Sequence, residues 1–535
     1  MKKSSVTLAT LTQAAALADL QFTDAERKLM LADVRRRIKR YRKLRAVELP
    51  NHIPPALVFD PRPPPMTFET HRQPIRLSRV RPPRVPADLE ELAFLPVTHL
   101  SALIRSRKIT SVALTQMYLE RLKHYDPVLQ CVVTLTEDLA LTQARRADKE
   151  IAAGHYRGPL HGIPWGVKDL LATRGIRTTW GAGPYRDQVI DMDATVVRRL
   201  EEAGAVLIAK LTVGELAWGD VWFGGQTKTP WDIKKGSSGS SAGPGAATAA
   251  GLVGFSIGTE TWGSIVSPST RCGVTGLRPT FGRVSRHGAM ALSWSMDKIG
   301  PMCRSVEDCA LVFNAIYGPD GEDPTVVDLP FNWDPGLWVS NLRIGYIKKD
   351  FAEKPAERTN DLQTLKVLRR LGAKLIPIEL PDYPFDSLSL ILSVEAAAAF
   401  DELTRTNRDD LLARQIRRAW PNVLRQARLI PAVEYVQANR VRTRLMRDMA
   451  ARMEEIDVYV SPSVTGNNLL LTNLTGHPAV VLPNGFTPKG YPTSITFTGK
   501  LFGEAEVLSV AKAYQDATDF HLKRPPLTVR SALRE

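Results

Sequence analysis

Apolar and polar positions follow two rhythms along this chain, and the changes between them divide it. Met30, Val34, Ile38 and Tyr41 recur at helical spacing, which predicts an amphipathic helix with one apolar stripe. Thr23-Asp-Ala-Glu26 stands before the stripe as a capping box, its hydroxyl and carboxylate placed to satisfy free amides of the first turn. Residues 1–47 as a whole are expected to be helical. Over 48–96 prolines recur every few residues, as at Pro54-Pro55, Pro63-Pro64-Pro65 and Pro82-Pro83. Proline brings no amide donor to a helix or sheet, so an extended connector lying over the surface is expected here. The boundary falls inside it: residues 1–90 read as a helical, Pro-rich extension and 91–535 as the main domain.

Within the main domain the helical rhythm returns at Leu100, Leu103 and Ile104, and again at Val112, Leu114, Met117, Leu119 and Leu122. Thr110 or Ser111 serves as the cap between them. An apolar, strand-like run then ends in Lys168, and Val206-Leu-Ile-Ala209 reads as another strand. Residues 342–346 and 374–378 read as strands flanking a helix over 359–371. The region 385–455 reads as helical, and 458–462 and 478–483 as late strands. Strands alternating with helices predict an α/β layered architecture.

Composition narrows the function more than the fold. At 535 residues, with 44% hydrophobic and 24% charged residues, the chain is an ordinary globular protein with room for a large core. The net charge of +15 favours anionic surfaces or substrates. Much of the excess lies in Arg35, Arg36, Lys39, Arg40, Arg42 and Lys43, which reads as the solvated face of a docked helix, so no nucleic-acid partner is expected. Cys131, Cys272, Cys303 and Cys309 form no CxxC pair and have no His at zinc-finger spacing, which fits reduced, buried thiols. No apolar run reaches the roughly 18–20 residues of a membrane span. Thr residues and Gln13 dilute the apolar region after Met1-Lys-Lys, a poor signal peptide, and a cytoplasmic protein is expected. No P-loop, no strand-borne G-x-G-x-x-G and no H-E-x-x-H is present, so neither nucleotide, other cofactor nor metal is expected.

The densest chemistry lies in 236–279, where a Gly/Ser loop with Ser237, Ser238, Ser240 and Ser241 leads into small residues, an apolar run and Gly258-Thr-Glu-Thr-Trp-Gly-Ser264. The small residues suit a tightly packed helix and the run 252–257 a buried strand. Taken alone, a serine in such a turn is structural, and a lysine ending a strand snorkels to water. Gly239-Ser240-Ser241-Ala242-Gly243 matches the G-x-S-x-G elbow, with Ser241 as nucleophile. That motif needs a strand immediately before it, yet 229–238 is polar and contains Pro230 and Gly236. Nothing in the sequence positions His287, His477 or His521 as its base.

The stretch Gly258-Thr-Glu-Thr-Trp-Gly-Ser-Ile265, followed by Arg271-Cys-Gly-Val-Thr-Gly-Leu-Arg-Pro279, resembles the signature of the amidase signature family, serine hydrolases with a Ser-cisSer-Lys triad. The likeness extends over about 95–320 and more loosely over 440–525. It implies a mixed central sheet with helices on both faces. It implies Ser264 as nucleophile, Lys168 as base and, of the four loop serines, Ser240 as the bridging cis-serine. The amides of Thr261, Trp262, Gly263 and Ser264 are then the oxyanion hole, Asp297 an organiser of the site, and Trp218, Asn467 and Asn468 substrate-pocket residues. A lysine acting as base must lose its proton, which burial favours by desolvating the charge. Glu260 and Trp262 stand where the family usually has Asp and Gly.

The implied function is hydrolysis of small hydrophobic or aryl amides, with esters or carbamates accessible to the same chemistry, through an acyl-enzyme. A small-molecule substrate and a homodimer are the expected partners. Two alternatives are an A-type subunit of a glutamine amidotransferase and a catalytically weakened binding protein.

Overall fold

The computed structural model describes residues 6–337, 339–353 and 358–527. Residues 1–5 of the expected helical segment lie outside these. The segment forms two helices, α1 (Leu8–Leu17) and α2 (Asp24–Leu44), separated where Asp19 takes a left-handed conformation. The capping box forms: Thr23 donates to Glu26 Oε2 from its amide at 2.6 Å and its hydroxyl at 2.8 Å, and Glu26 N donates to Thr23 Oγ1 at 3.3 Å. No residue of α2 is buried, and α1 buries Leu11 and Ala15.

Past α2 the chain runs extended across the main body. Phe59 meets Phe281 edge-on at 4.9 Å, with the Arg442 guanidinium 3.6 Å from the Phe59 ring centre. Arg76 N donates to Trp333 O at 2.9 Å and Ser78 N to Glu307 Oε1 at 2.6 Å. A proline-rich chain with few internal partners thus satisfies its remaining amides on the body. The body's large buried cluster begins at Leu92.

The strands, in chain order, are β1 (Val132–Leu135), β2 (Pro164–Lys168), β3 (Val206–Leu211), β4 (Val221–Trp222), β5 (Gly225–Gln226), β6 (Lys228–Thr229), β7 (Asp232–Gly236), β8 (Phe255–Glu260), β9 (Thr275–Arg278), β10 (Lys298–Cys303), β11 (Ile344–Ile347), β12 (Leu375–Ile378), β13 (Val458–Pro462), β14 (Ala479–Phe486) and β15 (Pro492–Gly499). Eleven form one sheet in the order β1-β3-β2-β8-β10-β9-β14-β15-β13-β11-β12. It is mixed: β2 is parallel to β3 and β8, β11 to β12 and β13, and the centre is antiparallel. Every residue of β2, β3, β8, β9, β10 and β13 is buried, because helices cover both faces.

This topology assembles one edge. β2 and β8 run side by side with Val167 opposite Ile257, so Lys168 and Thr259 emerge together at their carboxyl ends. β10 returns antiparallel, with Lys298 opposite Glu260, and brings Asp297 to the same edge. Carboxyl ends of parallel strands are where open α/β sheets place their sites.

Candidate active site

Lys168 is fully buried, and no carboxylate pairs with it among the described residues. The next residue, Asp169, turns instead to Lys210 at 3.4 Å. Around Lys168 Nζ lie Ser240 Oγ at 2.8 Å, Thr259 Oγ1 at 2.8 Å, Ser241 Oγ at 3.0 Å and Thr259 O at 3.3 Å. Burial holds the amine well below the ordinary lysine value, and the more distant charges of Asp297 and Glu260 pull weakly the other way. A neutral amine has a lone pair and can accept a proton from a hydroxyl.

The loop before helix Ala242–Ala249 carries three buried serines, Ser237, Ser240 and Ser241, of which the last two meet Lys168. The Gly239–Ser240 peptide is cis, and a Cβ on Gly239 would stand 1.8 Å from Gly219 O, so only glycine fits. Ser241 is held from several sides: Oγ donates to Thr259 O at 3.0 Å and accepts from Thr259 N at 3.1 Å, and its amide donates to Ser264 O at 3.2 Å. β7 ends at Gly236, short of Ser241, so the strand that a nucleophile elbow requires does not precede it. His477 is buried with Nδ1 2.8 Å from Thr475 Oγ1, and burial pushes it down to about 3.

Ser264 is 8% exposed and lies in the turn between β8 and helix Val266–Cys272. Glu260 shapes this turn. Its Oε2 accepts from Ile265 N at 2.8 Å and Val266 N at 2.9 Å, and its Oε1 accepts from Arg278 at 2.7 Å and Asn473 Nδ2 at 2.8 Å. Burial alone would raise its pKa, but the Arg278 guanidinium and these donors bring it down to about 2. The longer side chain therefore sits as a fully charged anchor of the turn. The amides of Thr261, Trp262, Gly263 and Ser264 donate to no protein acceptor among the described residues. Gly263 has φ of +84°, and the Trp262 side chain is 44% exposed, so its indole is not packed into the core. Four successive free amides beside a buried amine are an arrangement suited to receiving a developing oxyanion.

Thr261 Oγ1 donates to Asp297 Oδ1 at 2.5 Å, while Leu292 N and Ser293 N donate to Asp297 Oδ2 at 2.8 and 2.9 Å. A cavity lies against Thr259, Thr261 and Asp297, with apolar Leu170, Met290, Leu292, Trp294 and Ile299 on part of its wall and charged Arg286, Lys298, Glu322 and Asp323 on the rest. Lys168, Ser240 and Ser264 are not among its lining, and neither are Trp218, Asn467 and Asn468; it meets the Lys168 edge through Thr259 and Thr261. Trp218 sits under the Arg414 guanidinium at 5.2 Å, and Asn467 is exposed at a helix start. The Asn468 side-chain amide accepts from Tyr459 Oη at 2.7 Å and donates to Ser461 Oγ at 2.9 Å. Thr259, Arg278 and Asn473 were not singled out from the sequence. Thr259 and Arg278 lie within the signature stretch, whereas Asn473 carried no signal. Among the described residues no group of three or more His, Cys, Asp or Glu is set to hold a metal ion.

A family model described as "Amidase" matches residues 113–470. The chain belongs to the amidase family. It is an amide-cleaving enzyme. It is 35% identical over 475 residues to the A-type subunit of the Glutamyl-tRNA(Gln) amidotransferase from Roseiflexus sp. (strain RS-1), covering 80% of this chain and 97% of that protein. The corresponding subunit of Moorella thermoacetica is also 35% identical, with 82% and 100% covered. Among solved structures, the native peptide amidase of Stenotrophomonas maltophilia is similar with a TM-score of 0.73 and 31% identity, over 81% of this chain and 99% of that one. In this amidase the sheet edge that bears Lys168 is thus the edge of a fold shared with amide-cleaving enzymes.

Proposed function

We propose that this amidase hydrolyses small hydrophobic or aryl amides through an acyl-enzyme on Ser264, with Ser240 and Lys168 relaying the proton. The observation that carries this reading is the unpaired, fully buried Lys168 amine 2.8 Å from Ser240 Oγ. In the first step Ser264 Oγ bonds to the amide carbon, its proton passes to Ser240, and the proton of Ser240 passes to the lone pair of Lys168. The carbonyl oxygen takes up the negative charge at the free amides of 261–264. The C–N bond then breaks, the leaving nitrogen receives the proton back through Ser240, and water releases the acid by the same path reversed. The apolar part of the adjoining cavity's wall, Leu170, Met290, Leu292, Trp294 and Ile299, supports hydrophobic acyl or aryl substrates, and esters or carbamates pass through the same tetrahedral species. Four buried free thiols suit a reducing, cytoplasmic setting, and a homodimer completes this reading.

Labelling with a serine-reactive fluorophosphonate, followed by peptide mass spectrometry, tests it. An adduct on Ser264, slowed in Lys168→Ala, is expected; an adduct on Ser241 instead would sink the assignment. A second reading, an A-type glutamine amidotransferase component, is favoured by the names of the bacterial relatives. It requires glutamine turnover that depends on partner proteins and tRNA, whereas the main reading requires the chain alone to cleave an arylamide.

A further inference from the structure

The same cavity has a wall from outside the main body: His52 and Pro54 of the extended segment line it together with Thr259, Thr261 and Asp297. Both are otherwise exposed, so each presents one side to the cavity and the other to solvent. The residue before them is fastened. Asn51 Oδ1 accepts from Ala291 N at 2.7 Å while Asn51 Nδ2 donates to Ala291 O at 2.9 Å, a reciprocal pair of the kind that joins two strands. Asn51 Nδ2 also reaches Ala399 O at 3.4 Å. The segment it grips is part of the inner wall, since Met290 lines the cavity and its amide donates to Leu170 O at 2.9 Å, just beyond Lys168. On its other side the strap borders a second groove, where residues 44–52 face Trp180, Tyr185 and Phe400. His52, Gly288, Ala289 and Met290 line both spaces.

We propose that residues 51–54 of the N-terminal extension set the size limit of the substrate, with His52 and Pro54 as the outer wall of the reaction cavity and Asn51 as the residue that positions that wall. The proposal rests on the reading of the Lys168 edge as the reaction centre. A wall made by a strap differs from one made by the sheet. It closes the cavity by a few side chains clipped at one point, so its removal joins the cavity to the groove beyond without disturbing Lys168, Ser240 or the turn at Ser264. Substrates then divide by length: those ending at the strap fit, and those extending past it collide with His52 or Pro54.

The test uses the full-length protein and two pairs of 4-nitroanilide or related arylamide substrates, one pair enlarged on the acyl side and one on the amine side. His52→Gly is expected to raise the large-to-small ratio of kcat/KM about tenfold in one pair, the range that a change of a few atoms in a pocket wall produces. His52→Trp is expected to lower it. Asn51→Ala is expected to shift the same ratio in the direction of His52→Gly, through KM of the large substrate more than through kcat. Ratios unmoved by both His52 variants in both pairs would overturn the proposal, even if Asn51→Ala fails to fold. Fluorophosphonate labelling of the same preparations separates the two levels. Ratios unmoved while the adduct still forms on Ser264 remove the strap's role alone, whereas absence of the adduct removes the reaction centre on which it rests.

Discussion

At the scale of single residues, the candidate site holds two buried ionisable groups treated in opposite ways. Lys168 is denied a carboxylate and its pKa falls well below the ordinary 10.5; Glu260 is given Arg278 and three further donors and stays ionised down to about 2. The folded chain therefore leaves Lys168 unprotonated at pH values where an unfolded chain protonates it. Folding is disfavoured by this residue below about 10.5, and the penalty disappears as the pH rises to that value. Lys168→Met is expected to remove activity by at least about a thousandfold. In urea unfolding, its stability relative to wild type should decline as the pH rises toward 10.5; a pH-independent difference would show that the amine is charged in the fold. For Glu260 the sign is reversed. Its contribution is complete above about 4.5 and is lost as the pH falls toward 2. Glu260→Gln leaves a buried guanidinium without its partner, which should lower stability by about 3–5 kcal/mol, measurable by chemical denaturation at pH 7. The same change frees the turn that holds the amides of 261–264, so activity should fall with it. That Glu260 accepts from Ile265 N and Val266 N explains why a longer acid than the family's usual one does not spoil this turn: its extra reach goes to amides beyond Ser264.

At the scale of elements, the loop before helix Ala242–Ala249 is pressed against the chain at Gly219. Cβ atoms on Gly214 and Gly239 would each stand 1.8 Å from Gly219 O, which is a backbone atom and cannot swing aside. Gly239→Ala must therefore push the Ser240–Ser241 segment off Lys168. A displacement of that kind is expected to lower kcat by about a hundredfold, with loss of stability of about 1–3 kcal/mol; retention of both would show that the loop has room to shift. The elements that periodicity predicted were those with a strong one-sided or continuous apolar pattern: α2 with its capping box, helix Thr359–Arg370, and β13 at residues 458–462. β1 and β15 were not foreseen. β1 is half-buried throughout and four residues long, and β15 mixes Thr and Ser with its apolar residues, so neither presents a pattern that separates strand from loop without its neighbours.

At the scale of the molecule, the extension and the body are held together unequally. The segment 45–88 is pinned by Asn51, Phe59, Arg76 and Ser78, while α2 buries no residue. Removing residues 1–44 is expected to change the melting temperature by less than about 2 °C, as measured by calorimetry. A larger drop would mean that α1 and α2 support the body.

The sequence alone determined the local pieces, the Gly/Ser loop, the strand ending in Lys168 and the turn at Ser264, but read one segment at a time each is structural, and only the resemblance of the whole stretch to the amidase signature joins them into a candidate site. It also determined the layered α/β class, through alternation of apolar periods. Tertiary structure decided which of four loop serines meets the lysine, since Ser240 and Ser241 both lie within 3.0 Å of Nζ and Ser237 and Ser238 do not appear among its partners. It decided that the Asn468 side chain bonds to Tyr459 and Ser461. It decided, too, that a proline-rich connector reaches back across more than two hundred residues of sequence to wall the cavity. Contacts at that separation leave no periodic trace in either segment; they depend on how the sheet edge and the connector pack, which no local pattern encodes.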